Sequence, residues 1–274
     1  MIVKRPLIRY HGGKWRLAPW ILQHLPPHRC YVEPFGGGAS LLLRKPRAYA
    51  EIYNDLDGEI VNLFRVARDD GERLARVCEL TPFARAEFDD AYNPAEDPLE
   101  QARRTVFRSF SGFGSAAVTG QASGFRANSN RSGTTPAHDW MNYPDCLRTL
   151  IQRLRGVVIE NRDAVDCMAR HDAPDTLHYV DPPYVHATRS FRARSHCYRH
   201  EMTDDQHEAL ASTLHGLNGM VVLSGYRCDL YDRLYADWTR IDGRAHADGA
   251  RPRVESLWLS PSVPSRTLFP SEGT

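Results

Sequence analysis

No apolar run in the 274 residues approaches the ~20 needed for a helix to cross a bilayer, and no signal-peptide pattern opens the chain. The expected location is therefore the cytoplasm, with no membrane partner. A C-x-x-C pair is also missing. The six cysteines (Cys30, Cys78, Cys146, Cys167, Cys197, Cys228) are scattered, which argues against a zinc site or a disulfide framework and fits a reducing compartment. No metal is expected. Excess charge is lacking too: 35 basic and 34 acidic residues leave a formal net charge of +1, so the chain is no general polycation. Neither G-x-G-x-x-G nor G-x-x-x-x-G-K-[ST] occurs, so neither a nicotinamide cofactor nor a nucleoside triphosphate is advertised.

Acids are missing locally in two places. Between Gln101 and Gly133 there are five arginines (Arg103, Arg104, Arg108, Arg126, Arg131) and no Asp or Glu. Between Val185 and His200 there are four (Arg189, Arg192, Arg194, Arg199), three histidines and again no acid. Either stretch alone reads most simply as a solvated charged face. Two together on a neutral chain point to a directed anionic partner, with nucleic acid first.

What is present is ordinary for a soluble globular protein: 42% hydrophobic and 25% charged residues, in a length that fits one large domain, or one domain with an insertion. Its centre is Tyr179-Val180-Asp181-Pro182-Pro183-Tyr184. Val157–Ile159 and Leu177–Val180 read as short buried strands, and the second runs into two prolines that cannot continue a ladder. A carboxylate, a rigid turn and an aromatic ring then lie at the carboxyl end of a strand, where open α/β sheets bind ligands. That turn suits methylation of an exocyclic amine. Asp181 and the Pro182 carbonyl can accept hydrogen bonds from an NH2 group and localise its lone pair. Tyr184 can stack on the base, and Pro183 keeps the turn stiff. An ordinary Asp-Pro loop is the plain alternative.

Three other stretches have ligand-binding character. Tyr10-His11-Gly12-Gly13-Lys14 is a glycine turn with a cation, before a helix over Leu17–His24. Glu33-Pro34-Phe35-Gly36-Gly37-Gly38 joins an apolar strand end to an apolar helix start, a βα turn that offers backbone N–H groups. Ala48–Tyr53 reads as a strand ending in Asn54-Asp55-Leu56-Asp57, where Asp55 is expected to bind ribose hydroxyls and Asp57 to cap a helix over 58–68. Asp163 either binds or caps the helix after it. Thr203 and Gln206 form a capping box before a helix to about Leu214. Met220–Leu223 and Glu255–Leu259 read as strands, with an arginine-rich loop over 240–253 between them. Tyr226 either walls the base pocket or is an ordinary strand-end aromatic. The tail after Pro261 has the composition of a frayed terminus.

In that order and spacing, the four motifs resemble the Dam-type (D12 class) adenine-N6 DNA methyltransferases over nearly the whole chain. The resemblance implies an α/β fold: the Rossmann-like, mixed seven-stranded sheet of a class I S-adenosylmethionine-dependent methyltransferase. It implies that Tyr10 and Lys14 close over the cofactor, that Glu33 to Gly38 cradle its methionine part, and that Asp55 holds the ribose. Asp163 would lie near the adenine of the cofactor, and Asp181 to Tyr184 would form the catalytic tetrapeptide, with Asp181 also close to the cofactor. The catalytic domain is then expected over 1–80 and 149–274, with a target-recognition insertion over 81–148. Arg126 and Arg131 are expected to read guanine edges, with phosphate contacts alone as the alternative, and Arg189, Arg192, Arg194 and Arg199 to grip phosphates of double-stranded DNA. A monomer is expected. An RNA or protein-amide methyltransferase, or a DNA-binding relative without activity, remains the alternative.

Overall fold

The computed structural model describes residues 3–114, 123–130, 133–188, 199–246 and 252–264. Its seven strands are β1 (Cys30–Glu33), β2 (Ala50–Asn54), β3 (Val158–Glu160), β4 (Thr176–Val180), β5 (Met220–Gly225), β6 (Thr239–His246) and β7 (Pro252–Leu259). They form one sheet in the order β3-β2-β1-β4-β5-β7-β6. The first five are parallel, whereas β7 runs antiparallel to both β5 and β6. From β1 the chain winds outward to β2 and β3, then returns to start the other half at β4. The crevice above β1 and β4 is therefore the switch point at which such sheets bind ligands.

The central strands read as unbroken apolar runs because helices cover both faces, and every residue of β4 and β5 is buried. The expectation of a buried strand near 157–159 needs correction. β3 pairs only with β2 among the described residues, and Val158 is 45% exposed. The arginine-rich loop expected over 240–253 is also corrected. Thr239–His246 pairs residue by residue with β7, and its polar sequence suits a sheet edge.

The helices are α1 (Ala18–Leu22), α2 (Ser40–Arg44), α3 (Gly58–Asp69), α4 (Gly71–Leu80), α5 (Arg85–Asp90), α6 (Pro98–Ser111), α7 (Pro136–Met141), α8 (Tyr143–Leu154), α9 (Ala164–His171), α10 (Asp204–Gly216) and α11 (Asp229–Leu234). Side-chain caps set several starts. Asp57 accepts from Glu59 N, Asp163 from Val165 N, and Thr203 with Gln206 makes the full capping box. Gly156, at φ 85°, ends the α8 region in the left-handed conformation that favours glycine.

The stretch expected to be an insertion does not stand apart. Ala102, Val106, Phe107 and Phe110 of α6 share one core with Ile60 and Phe64 of α3 and with Tyr179 of β4. Trp140 stacks on Tyr143 and donates from Nε1 to the Thr81 carbonyl at 2.8 Å. The boundary drawn at 148/149 falls inside α8.

Candidate active site

β1 ends at Glu33, and the chain turns back over the sheet edge through Gly36, Gly37 and Gly38. A Cβ on Gly36 would lie 2.2 Å from the Tyr53 ring and 2.8 Å from the Asn54 carbonyl. Gly37 has φ 46°, and a Cβ there would meet the Tyr10 ring at 2.8 Å. The turn is thus pressed onto two aromatic rings, and only glycine lets the backbone approach them. The Glu33 carboxylate is buried beneath it, where Oε1 accepts from Tyr31 Oη and Leu42 N, each at 2.7 Å. Burial pushes its pKa up to about 7 despite those bonds, and the nearby Asp181 charge adds to the shift.

At the end of β2, Asp55 Oδ2 accepts from Gly37 N at 2.7 Å and Oδ1 from Asp57 N at 2.8 Å. The carboxylate therefore ties the glycine turn to the next loop, and burial raises its pKa. Asp57 is 2% exposed; Oδ1 serves the α3 cap and Arg199, while the buried Oδ2 has no hydrogen-bond partner among the described residues. Tyr10, Lys14, Glu33, Pro34, Phe35 and the glycine turn line one cavity of about 490 Å³, together with Asp55, Asp57, Asp163, Asp181 and Pro183. That volume suits a bound small molecule. Arg199, His200, Glu201 and Met202 close its far side with residues of α10.

β4 delivers Asp181 to the same cavity. Lys14 Nζ donates to both of its carboxylate oxygens, at 2.7 and 2.8 Å, and to Tyr184 Oη at 2.6 Å. Ser224 Oγ donates to Asp181 Oδ1 at 2.9 Å, and Tyr179 Oη lies 2.9 Å from that hydroxyl. Val180 pairs with Leu223, so the next residue on each strand meets at the sheet edge. Pro182 is buried; the Tyr184 ring lies against Tyr226 with centroids 4.4 Å apart, and Tyr184 Oη donates to Glu255. A carboxylate held by a cation and a hydroxyl, beside an aromatic face and a cofactor-sized cavity, can receive a planar amine.

A family model described as D12 class N6 adenine-specific DNA methyltransferase matches residues 10–246, which include all these motifs. The chain belongs to that family. It is 25% identical to a DNA adenine methylase of Escherichia coli K12 over 225 residues, covering 78% of this chain and 76% of the relative. A DNA adenine methylase of Salmonella typhimurium is 23% identical over 265 residues, 92% and 90% of the two chains. A type II methyltransferase of Lactococcus lactis subsp. cremoris, M1.LlaDCHI, is 25% identical over 259 residues, 85% of each. As a member of the D12 family the chain is an enzyme that uses a methyl donor and acts on DNA. The seven-stranded mixed sheet is consistent with the class I methyltransferase fold.

The basic stretches sit differently from expectation. Arg131, Arg189, Arg192 and Arg194 lie outside the described residues. Arg126 is 8% exposed, and its Nη1 donates to the Phe110 carbonyl at 2.9 Å. The guanidinium is therefore turned inward, where it ties this segment to the end of α6. Arg126→Ala should lower the melting temperature by several degrees, because it leaves a buried carbonyl short of a donor, a loss of about 1–3 kcal/mol. It should leave the methylated sequence unchanged, as site mapping would report; a relaxed sequence would restore the reading role. Arg199 donates to Asp57 Oδ1 at 2.8 Å and Glu59 Oε2 at 2.7 Å, and it lines the cavity. Sequence reading also missed Ser224 as a partner of Asp181, and it took Glu255 only as the start of a strand. Ser224 had one available signal, its place at the end of a buried strand in a parallel sheet.

Proposed function

We propose that the chain transfers the methyl group of S-adenosylmethionine to N6 of an adenine flipped out of double-stranded DNA, acting as a monomer. The observation that carries this reading is the position of Asp181, which lines the cavity and shares Lys14 with Tyr184, whose ring lies against Tyr226. The cavity residues fit the cofactor. Asp55 and Asp57 offer acceptors to ribose hydroxyls, and the buried Asp57 Oδ2 has none of its needs met by the described residues. The Glu33 carboxylate suits a cationic amino group, and the glycine turn admits a ligand no side chain would leave room for. When bound, S-adenosylmethionine supplies an electrophilic methyl on a sulfonium.

The rest is done by the chain. Asp181 and the Pro182 carbonyl accept from the amine and draw its lone pair out of the ring. Tyr184 holds the base by its face. Lys14 must give up part of its bidentate hold so that Asp181 has a free acceptor. The methyl's bond to sulfur would break as its bond to nitrogen forms, leaving a thioether, and Asp181 is the base placed to take the one proton the amine sheds. A base inside a duplex cannot reach this edge, so flipping is part of the reading. Arg189, Arg192 and Arg194 would follow the backbone, and Arg131 would read bases within the 81–148 segment. A DNA substrate places the enzyme where the cell's DNA is, the cytoplasm and its nucleoid.

Expression in a host that lacks adenine methylation, followed by long-read mapping of modified bases, tests the reading. The expected result is N6-methyladenine within one short sequence. Folded protein that leaves DNA unmodified while methylating RNA or protein would sink it. Asp55→Ala should weaken cofactor binding about tenfold or more by calorimetry, since a hydrogen bond to a charged group contributes roughly 1.5–3 kcal/mol. DNA affinity should change little. Undiminished cofactor affinity would reduce Asp55 to a tie between two loops.

A further inference from the structure

Glu255 stands on β7 next to Ser256, which pairs with Gly225 at the carboxyl end of β5. The antiparallel strand thus brings it to the edge that holds Asp181. It lies beyond the residues matched by the family model and is 1% exposed. Tyr184 Oη donates to its two oxygens, at 3.1 and 3.3 Å, and Lys14 Nζ sits 3.6 Å from Oε1. Lys14 therefore lies between two carboxylates, Asp181 on the cavity side and Glu255 behind it. Burial pushes the Glu255 pKa up to about 7, against the pull of Lys14 and with a further push from Asp181. A buried acid is costly for a fold to keep unless its charge has a use.

We propose that Glu255 is a positioning residue for methyl transfer: through Lys14 and Tyr184 it keeps one net negative charge beside the amine that Asp181 receives. Asp181 and Lys14 alone form a neutral pair. Such a pair gives little stabilisation to a nitrogen that becomes positive, and it leaves the ammonium free to settle wholly on Asp181. Glu255 draws Lys14 from behind and restores the negative balance. Through the same carboxylate it fixes Tyr184 Oη, and so the plane of the ring that stacks on the base.

The inference rests on the reading that Asp181 receives the amine, so Asp181→Ala is the control. The assay is methyl transfer from tritiated S-adenosylmethionine to genomic DNA from a host without adenine methylation. Glu255→Gln should lower kcat roughly 10–100-fold while the KM for DNA and for cofactor stay within about threefold, and Glu255→Asp should recover part of the loss. Among the described residues, the charged and titratable groups facing Glu255 are Lys14, Asp181, Tyr184 and Tyr179. Wild-type kcat should rise with pH through about 7 as Glu255 ionises, and that limb should vanish in Glu255→Gln. A limb that survives there belongs to Glu33 and overturns the assignment, as does wild-type kcat. Tyr184→Phe needs no change at Glu255 and removes only the linking hydroxyl. It should lower kcat about fivefold or more at unchanged DNA KM, and full activity would overturn the proposal even if the glutamine variant failed to fold. If Asp181→Ala itself stays active, it is the underlying reading that has failed, not the role of Glu255 alone.

Discussion

Asp181→Ala should fold normally and transfer methyl groups roughly 10²–10³-fold more slowly, or not measurably. The residue lies just past the end of β4 and is partly exposed, so no core packing is lost with its carboxylate. Nor does its removal strand a charge. Lys14, 3% exposed, would keep Tyr184 as acceptor and Glu255 as counter-ion. What disappears is the acceptor that holds the amine where its lone pair faces the methyl group. Single-turnover transfer with enzyme in excess, run beside a thermal melt, separates the two effects. A folded variant within tenfold of wild type would remove Asp181 from the chemistry and leave Lys14 and Ser224 as structural neighbours.

Gly36→Ala should have the largest effect on cofactor binding. The added Cβ meets the Tyr53 ring at 2.2 Å, and that ring cannot swing aside. It is fully buried, stacked on Phe64 with centroids 4.2 Å apart, and its hydroxyl donates to the Gly37 carbonyl at 2.8 Å. The Asn54 carbonyl, 2.8 Å away, is backbone and no more yielding. The turn must therefore lift off the sheet edge, breaking the Gly36 N to Asn54 O and Gly37 N to Asp55 bonds that shape it. Overpacking of this kind costs about 1–3 kcal/mol, and the melting temperature should fall by several degrees. Cofactor affinity should drop roughly 100-fold, a loss of about 3 kcal/mol, because the displaced turn no longer presents its backbone to the ligand. Gly216→Ala is the matched control: nothing lies within 4 Å of its added Cβ, and both quantities should stay put. Unchanged calorimetry for Gly36→Ala would mean that the turn is not the cradle.

The parts of this site that could be read from sequence are those where one short stretch contains both the geometry and the chemistry. Val180 followed by Asp181 and two prolines announces a buried strand with a reactive end. The run Gly36-Gly37-Gly38 after Glu33 announces a turn under close contact. The unread parts depend on residues far apart in the chain. The acid-free stretch from Gln101 is not acid-free in space: Arg103 meets Glu87 and Glu100, Arg104 meets Asp90 and Glu100, and Arg108 meets Glu59. Counting charges along a window cannot see that neutralisation. β6 escaped notice because Thr-Arg-Ile-Asp-Gly-Arg-Ala-His carries hardly any apolar signal, and its partner supplies the reason it is a strand. α7 lies in a stretch rich in Gly, Ser and Asn, where Thr135 and Pro136 are a helix start that composition alone hides.

The position of β7 has a consequence for how the protein is made. It is synthesised after β6 yet lies between β6 and β5, so the sheet cannot close in the order of translation. Until β7 leaves the ribosome, β5 presents an open edge, and β6 has no partner among the described strands. Lys14, made near the start, has Asp181 available by then but still waits for Glu255. Such a chain depends on late, long-range pairing, which slows folding and leaves an apolar strand edge free to join other chains. The catalytic cluster is thus among the last things to form, and a nascent chain stalled before β7 would be a seed for aggregation rather than a slow enzyme.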